Sequence, residues 1–359
     1  MKNKILLIGP FPPPISGVSL ANSILKEGLQ REGEKVNFIN TENQKQITGE
    51  TGRFNLSKLS FLLMYLKLFK IPSSNIIYIT IGQTFFGVLK YLPFLIIAKL
   101  FNLKTVAHLH GGYLKTEFDN QPRFNKKCML MTLNLFDYGI VLSKSLRRHL
   151  SFFLKEEDIF ICPNFYEKAL FEIESGEKNY EELRIIFLSN LIEGKGINLL
   201  LKALEEINSK AIKIKVAGNI PLENKQVVKQ MRRIQNLEYL GTVSGKKKAD
   251  LLSWGNVFCL PTFYDRGEGQ PISIIESMAF GNLILTTRHG GIPDICSEYN
   301  AFFVQKNNVQ DLKEKLMYLL ENIHKVKEKG AYNVKYAKEN FTEEKFIQNM
   351  TNIFDTCIS

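Results

Sequence analysis

Two carboxylates in one short stretch carry the first chemical signal in this chain. Glu268 stands between Gly267 and Gly269, and Glu276 follows it within residues 264–281, YDRGEGQPISIIESMAFG. Carboxylates this close could act as a general acid and base, or could bind hydroxyls and shape the charge around a reacting atom. Pro271 suits the first turn of a helix, where a missing N–H costs nothing. Glu268 therefore falls in a loop and Glu276 inside the following helix. The free backbone donors of a helix start favour a phosphate or another anion. Glu276 lies beside an apolar face made by Ile272, Ile275 and Ala279. That placement predicts a half-buried carboxylate in need of donors, which two neighbouring sugar hydroxyls would supply. A helix cap with one solvated Glu is the plain alternative.

Three further loops carry candidate groups. Lys195 sits between Gly194 and Gly196 in SNLIEGKG, near another helix start, and resembles a phosphate-binding lysine without the spacing of a P-loop. His108 and His110 flank Leu109 in HLHGG, so strand alternation puts both rings on one side, with His110 at the strand end. Gly17 follows Ser16 in the proline-rich loop GPFPPPISG, where a missing side chain lets a backbone approach a ligand. A solvated lysine, a core histidine and a proline-forced turn are the ordinary explanations of these residues. Lys195 and the helix start at Pro271 together could steady a leaving phosphate with fixed charge and oriented N–H groups. The sequence has no D-x-D pair, no His-x-x-His and no acidic cluster of a kind that would hold a metal, so no metal is expected.

The elements that must position these groups alternate in type. Short apolar strands are expected over residues 5–8, 36–39, 76–79, 105–109, 137–142 and 159–162. A second series follows over 184–188, 213–217, 237–240, 257–260, 283–286 and 301–304. Continuous apolar runs of this length fit parallel strands covered on both faces. Helices are expected over 19–31, 56–72, 91–101, 143–150, 197–208, 224–234, 246–253, 271–280, 311–329 and 341–358. The reading is α/β, with two Rossmann-like doubly wound domains facing across a cleft, where ligands meet the carboxyl ends of the strands. Residues 1–165 form the first domain, and 166–340 the second, which opens with a Glu-rich linker. Residues 341–359 form a helix expected to pack back on the first domain.

Composition narrows the class. A chain of 359 residues exceeds the size at which a single core stops growing. The five cysteines, Cys128, Cys162, Cys259, Cys296 and Cys357, are scattered without a CxxC pair, which fits a reduced cytoplasm. The apolar run at residues 5–8 is too short for a signal-peptide core. Residues 1–160 hold 21 Lys+Arg against 11 Asp+Glu, leaving 26 against 25 in the remainder, so nearly all of the net charge of +11 lies in the first half. No nucleic-acid motif accompanies it. Peripheral association with an anionic membrane, on its cytoplasmic face, is the better expectation. LSKLSFLLMYLKLFKIP and YLPFLIIAKLF each mix apolar residues with lysine as interfacial helices do. Both could equally be core helices.

Taken together, the motifs resemble a retaining glycosyltransferase of the GT-B fold, and within that group glycosyltransferase family 4. The matching pieces are SGVSLA, HLHGGY, VLSKSLRRHL, CPNFYE, FLSNLIEGKGINLLLKAL, KVAGN, VFCLPTFYDRGEGQPISIIESMAFGNLILTT and GGIPDI. The resemblance implies transfer of a hexose or N-acetylhexosamine from a UDP- or GDP-sugar to a lipid-linked or saccharide acceptor, in surface polysaccharide biosynthesis. It implies no cofactor beyond that nucleotide-sugar co-substrate. Glu276 would hold the ribose hydroxyls. Glu268 would lie near the hexose, with Gly267, Gly269, Gln270 and Pro271 forming the donor loop. Lys195 would grip the diphosphate, Gly17 would approach it, and His110 would stand near the transferred sugar. Many members have Gly-Arg-Leu where this chain has Ser189-Asn190-Leu191, so Asn190 leaves a cation missing, and Arg266 is the candidate replacement. A nucleotide-binding scaffold without turnover and a nucleotide-sugar epimerase are the alternatives.

Overall fold

The computed structural model describes residues 3–42, 56–172 and 178–358, with side chains from residue 64 onward in the segment that begins at 56. The chain divides into two units, residues 1–164 with 344–359, and residues 165–343.

The first unit is built on a six-stranded sheet: β1 (Lys4–Gly9), β2 (Lys35–Asn40), β3 (Ile76–Thr80), β4 (Lys104–Leu109), β5 (Tyr138–Val141) and β6 (Ile159–Ile161). Every pairing is parallel, in the order β2-β1-β3-β4-β5-β6. All of β3 and nearly all of β1 and β4 are buried, as expected of strands covered by helices on both faces. The covering helices are α1 (Gly17–Arg31), α2 (Phe85–Leu89), α3 (Leu92–Leu100), α4 (Leu114–Asn120) and α5 (Arg123–Leu133).

The second unit repeats the plan with β7 (Leu183–Leu188), β8 (Ile212–Ala217), β9 (Leu237–Tyr239), β10 (Val257–Leu260), β11 (Leu283–Thr287) and β12 (Ala301–Val304). Again all pairings are parallel, now in the order β12-β11-β10-β7-β8-β9. Its helices are α6 (Ile197–Ile207), α7 (Val227–Met231), α8 (Gly245–Trp254), α9 (Ile272–Ala279), α10 (Val309–Glu321) and α11 (Ile323–Asn340). A last helix, α12 (Glu343–Ile358), starts in the second unit and runs in the first. There Phe354 meets Tyr78 edge-on at 5.9 Å, and Ile347 fills the space left by the absent side chain of Gly28.

Some expected helices differ. Residues 311–329 are not one helix: Asn322 leaves the helical region at φ −123° and ψ 50°, separating α10 from α11. Residues 144–149 and 56–73 form 3-10 helices, while α2, α4 and α5 lack a sharp periodic signal and were not expected. The sequence's Glu-rich linker is folded in part: Lys168–Phe171 makes a 3-10 turn that buries Leu170.

Candidate active site

The second unit holds most of the candidate residues, for a topological reason. From β7 the chain builds outward through β8 and β9 on one side, then returns to lay β10, β11 and β12 on the other. The point of reversal lies between β7 and β10, where the loops leaving the two strands diverge and open a crevice. Residues 189–196 leave β7 and residues 261–271 leave β10, so Lys195 and Glu268 are brought to one place although 73 positions separate them.

Two glycines make this approach possible. Gly196 adopts φ +82°, and a side chain there would sit 2.2 Å from the carbonyl oxygen of Pro261. Gly290 adopts φ +55°, and a side chain there would sit 2.0 Å from the carbonyl oxygen of Glu268. Only a residue without Cβ tolerates both the left-handed backbone and the contact. Phe263 N–H donates to the Gly194 carbonyl at 2.7 Å, Thr287 Oγ1 to the Thr262 carbonyl at 2.5 Å, and Gly291 N–H to the Gly269 carbonyl at 3.0 Å. His289 Nε2 lies 2.9 Å from the Tyr264 carbonyl. The loop that carries Glu268 is thereby fixed from both sides.

Lys195 Nζ donates to both oxygens of Glu268 at 2.7 Å. Thr262 Oγ1 donates to Glu268 Oε2 at 2.8 Å, and the Lys195 ammonium lies 5.1 Å from the centre of the Tyr264 ring. Both charged side chains are largely buried, at 16% and 6% exposure. The sequence assigned them separate contacts; the structure joins them as one charged pair. Such a pair presents an oriented ammonium and a fixed carboxylate side by side, with low reorganisation on meeting a charged group.

Glu276 lies on α9, which begins after Pro271 as expected. Its exposure is 1%, so the half-buried expectation is corrected to full burial. The helix packs on β11 and α11, neither of which the spacing within the helix announces. Lys248 on α8 reaches Glu276 Oε1 at 2.5 Å and stands 3.6 Å from Glu167 Oε2. Burial pushes the Glu276 carboxyl upward, Lys248 opposes the rise, and Glu167 adds to it. The motifs gave no sign of Lys248, which reaches Glu276 across 28 positions of sequence. Gly267 adopts φ +84°, while Gly269 and Gln270 are buried behind Glu268. Asn190 and Arg266 are both exposed, and no ion pair of Arg266 appears among the described contacts.

Gly17 and His110 belong to the first unit. Ser16 caps α1 through a reciprocal pair with Ser19, and Gly17 is the exposed first residue of the helix. His108 on β4 and His110 just beyond its end lie side by side, with ring centroids 4.0 Å apart and planes tilted by 36°. Tyr78 Oη lies 2.6 Å from His108 Nδ1. Burial lowers the His110 pKa to about 4, and burial with the neighbouring ring pulls His108 down as well, so both imidazoles are neutral near pH 7. Elsewhere on this unit Leu66, Phe69, Phe86, Leu100 and Phe101 are exposed, on the 3-10 helix Leu56–Ser73 and on and beside α2 and α3. Lys67 and Lys70 share that 3-10 helix. No helix of the described residues is long and apolar enough to cross a membrane.

Similarity to known proteins follows this anatomy. The structure of sucrose-phosphate synthase from Thermosynechococcus elongatus superposes with a TM-score of 0.75, covering 99% of each chain at 16% identity. HepE from Anabaena, solved in complex with UDP-glucose, gives 0.74 at 16% identity over 98% of this chain and 99% of its own.

The fold is GT-B.

Residues 170–339, almost the whole second unit of this GT-B chain, match the family model for glycosyl transferases group 1. An uncharacterized glycosyltransferase of Methanocaldococcus jannaschii is 22% identical over 322 residues, 85% of this chain and 81% of its own. The poly(ribitol-phosphate) alpha-N-acetylglucosaminyltransferase of Staphylococcus aureus is 23% identical over 246 residues, 67% of this chain and 48% of its own length. Fold and family match together support a GT-B glycosyltransferase.

Proposed function

We propose that this protein is a retaining, metal-independent glycosyltransferase of family 4. It moves a hexose or N-acetylhexosamine from a UDP- or GDP-sugar to a lipid-linked or saccharide acceptor, in the assembly of a surface polysaccharide. The observation that carries the reading is the Lys195–Glu268 pair at the point of strand reversal, on the unit that also buries Glu276. HepE binds UDP-glucose and the Staphylococcus aureus relative is named for transfer of N-acetylglucosamine, which supports a nucleotide-sugar donor.

In this mechanism the bond between the sugar anomeric carbon and the diphosphate oxygen breaks, and the electron pair leaves with the diphosphate. Lys195 and the start of α9 stabilise that charge. The acceptor oxygen bonds to the same face of the anomeric carbon, and its proton passes to the departing phosphate, so no protein nucleophile is required. Glu268 orients the hexose, and Glu276 holds the ribose diol. Gly17 and His110 keep the roles that the resemblance implies. The exposed apolar residues and lysines of the first unit would rest on an anionic cytoplasmic membrane face.

The test is a thermal-shift screen with UDP, GDP, ADP and their sugars, followed by nucleotide release in the presence of acceptors. A specific UDP- or GDP-sugar should raise the melting temperature by mass action and release its nucleotide when acceptor is added. Binding without release would indicate a scaffold, and a new sugar nucleotide formed from donor alone would indicate an epimerase.

A further inference from the structure

The Glu276 carboxylate is paired with a cation from another helix. Lys248 Nζ lies 2.5 Å from Glu276 Oε1, with side-chain exposures of 15% and 1%, and is 3.6 Å from the partly exposed carboxylate of Glu167. One ammonium therefore serves two carboxylates, one of them fully buried. Around Glu276, α9 buries Ile274, Ile275 and Met278. Helix α11 and strand β11, which also pack on α9, turn only uncharged buried residues inward, among them Gly330, Asn333 and Thr286. Of the described charged groups, Lys248 from α8 and Glu167 from the segment before Lys168 are the two that face Glu276.

The chemistry of diol binding makes this arrangement consequential. An ionised carboxylate offers two acceptor oxygens, whereas a protonated one must use an O–H donor and accepts less well. Burial and the charge of Glu167 both press Glu276 toward the proton-bound form. Lys248 opposes them and occupies Oε1, and among the described contacts no other group hydrogen-bonds Glu276, so Oε2 is left for a ligand hydroxyl.

We propose that Lys248 is a positioning residue that keeps Glu276 ionised and fixed in direction, so that it accepts hydrogen bonds from the ribose of the nucleotide donor. The inference rests on the assignment of Glu276 as the ribose clamp. Glu167 acts against Lys248 and sets how tightly the carboxylate holds its charge.

The test compares wild type, Lys248→Gln, Lys248→Arg, Glu276→Ala and the double variant Lys248→Gln with Glu167→Gln, with far-UV spectra and melting curves as folding controls. Affinity for UDP and for GDP is measured by calorimetry between about pH 7 and about pH 9. Wild-type affinity for the preferred nucleotide should change little across that range. Lys248→Gln should bind roughly tenfold more weakly at the lower pH and regain affinity as pH rises, because the carboxylate then ionises late. Lys248→Arg should restore the flat profile, and removal of the Glu167 charge should recover part of the loss. Glu276→Ala should bind weakly at every pH. A Lys248→Gln profile identical to wild type, with Glu276→Ala still weak, overturns the role of Lys248 alone. Wild-type binding by Glu276→Ala overturns the ribose clamp and the inference with it. If Lys248→Gln does not fold, the double variant with Glu167→Gln decides: affinity below wild type at the lower pH that rises with pH supports the inference, and a flat profile at wild-type affinity overturns it.

Discussion

Lys195 and Glu268 cannot be separated without leaving a charge behind. Removal of one partner from a largely buried ion pair typically costs about 3–5 kcal/mol, and less where solvent still reaches the site. Glu268→Ala should therefore lower stability by roughly 1–3 kcal/mol and depress turnover more than donor affinity, because the remaining ammonium is displaced from its fixed position. Glu276→Ala should do the opposite, raising the donor KM with a smaller change in kcat. Steady-state kinetics on both variants checks the division, and the reverse pattern would sink it. Arg266 was the candidate to replace the cation missing at Asn190. The structure leaves both residues exposed on separate loops, so an effect of Arg266→Ala on turnover remains its test.

Helix α8 shows how an element can depend on one distant side chain. Lys178, at the end of the Glu-rich segment, donates to the Leu252 carbonyl at 3.1 Å, the Gly255 carbonyl at 2.5 Å and Asn282 Oδ1 at 3.1 Å. It thereby satisfies carbonyls that the helix end leaves without intrahelical partners. Lys178→Met should cost about 1–3 kcal/mol in denaturant melts, because the Gly255 carbonyl and Asn282 Oδ1 lose this donor, while the Leu252 carbonyl keeps Asn282 Nδ2. Burial lowers the Lys178 pKa to about 7, below its ordinary value of 10.5. Between those values the unfolded chain binds more protons than the folded one. Its contribution is therefore fully present above the ordinary value and is lost as pH falls toward about 7. The wild type should gain stability over that interval relative to Lys178→Met, and parallel stability curves for the two proteins would refute the assignment. The helix also carries Lys248, so loosening its end should weaken nucleotide binding as well.

On the scale of the whole molecule, charge is segregated: 21 Lys+Arg against 11 Asp+Glu in residues 1–160, and near balance beyond. Exposed Leu66, Phe69, Phe86 and Leu100 accompany the basic excess on the first unit. Flotation with anionic liposomes at low salt should recover the protein, and raising the salt well above physiological strength should release much of it, since surface attraction fades within a Debye length. A protein that stays wholly in the soluble fraction at low salt would remove the membrane assignment. Double substitution Leu66→Ser with Phe69→Ser should reduce recovery even at low salt.

The strands were legible because their signal is local. Apolar runs such as residues 76–79 and 257–260 have to be buried on both faces, whatever lies far away in the chain. The start of α9 was equally local, since Pro271 fixes its own φ and lacks an N–H. By contrast, α10 and α11 looked continuous, because their apolar spacing runs through Asn322, whose backbone conformation nothing nearby announces. The full burial of Glu276 was hidden for a similar reason: its own helix shows only one apolar face, and the β11 and α11 that pack on that helix and the Lys248 that meets the carboxylate come from elsewhere in the chain. The residue types that suggested phosphate and sugar chemistry were thus legible at Lys195 and Glu268 in loops and at Glu276 in a helix. Their partnership was decided by strand order, which lays β7 beside β10, and by the reach of Lys248 on α8 to Glu276 on α9, because an ion pair forms between side chains that are near in space and no local pattern records that distance.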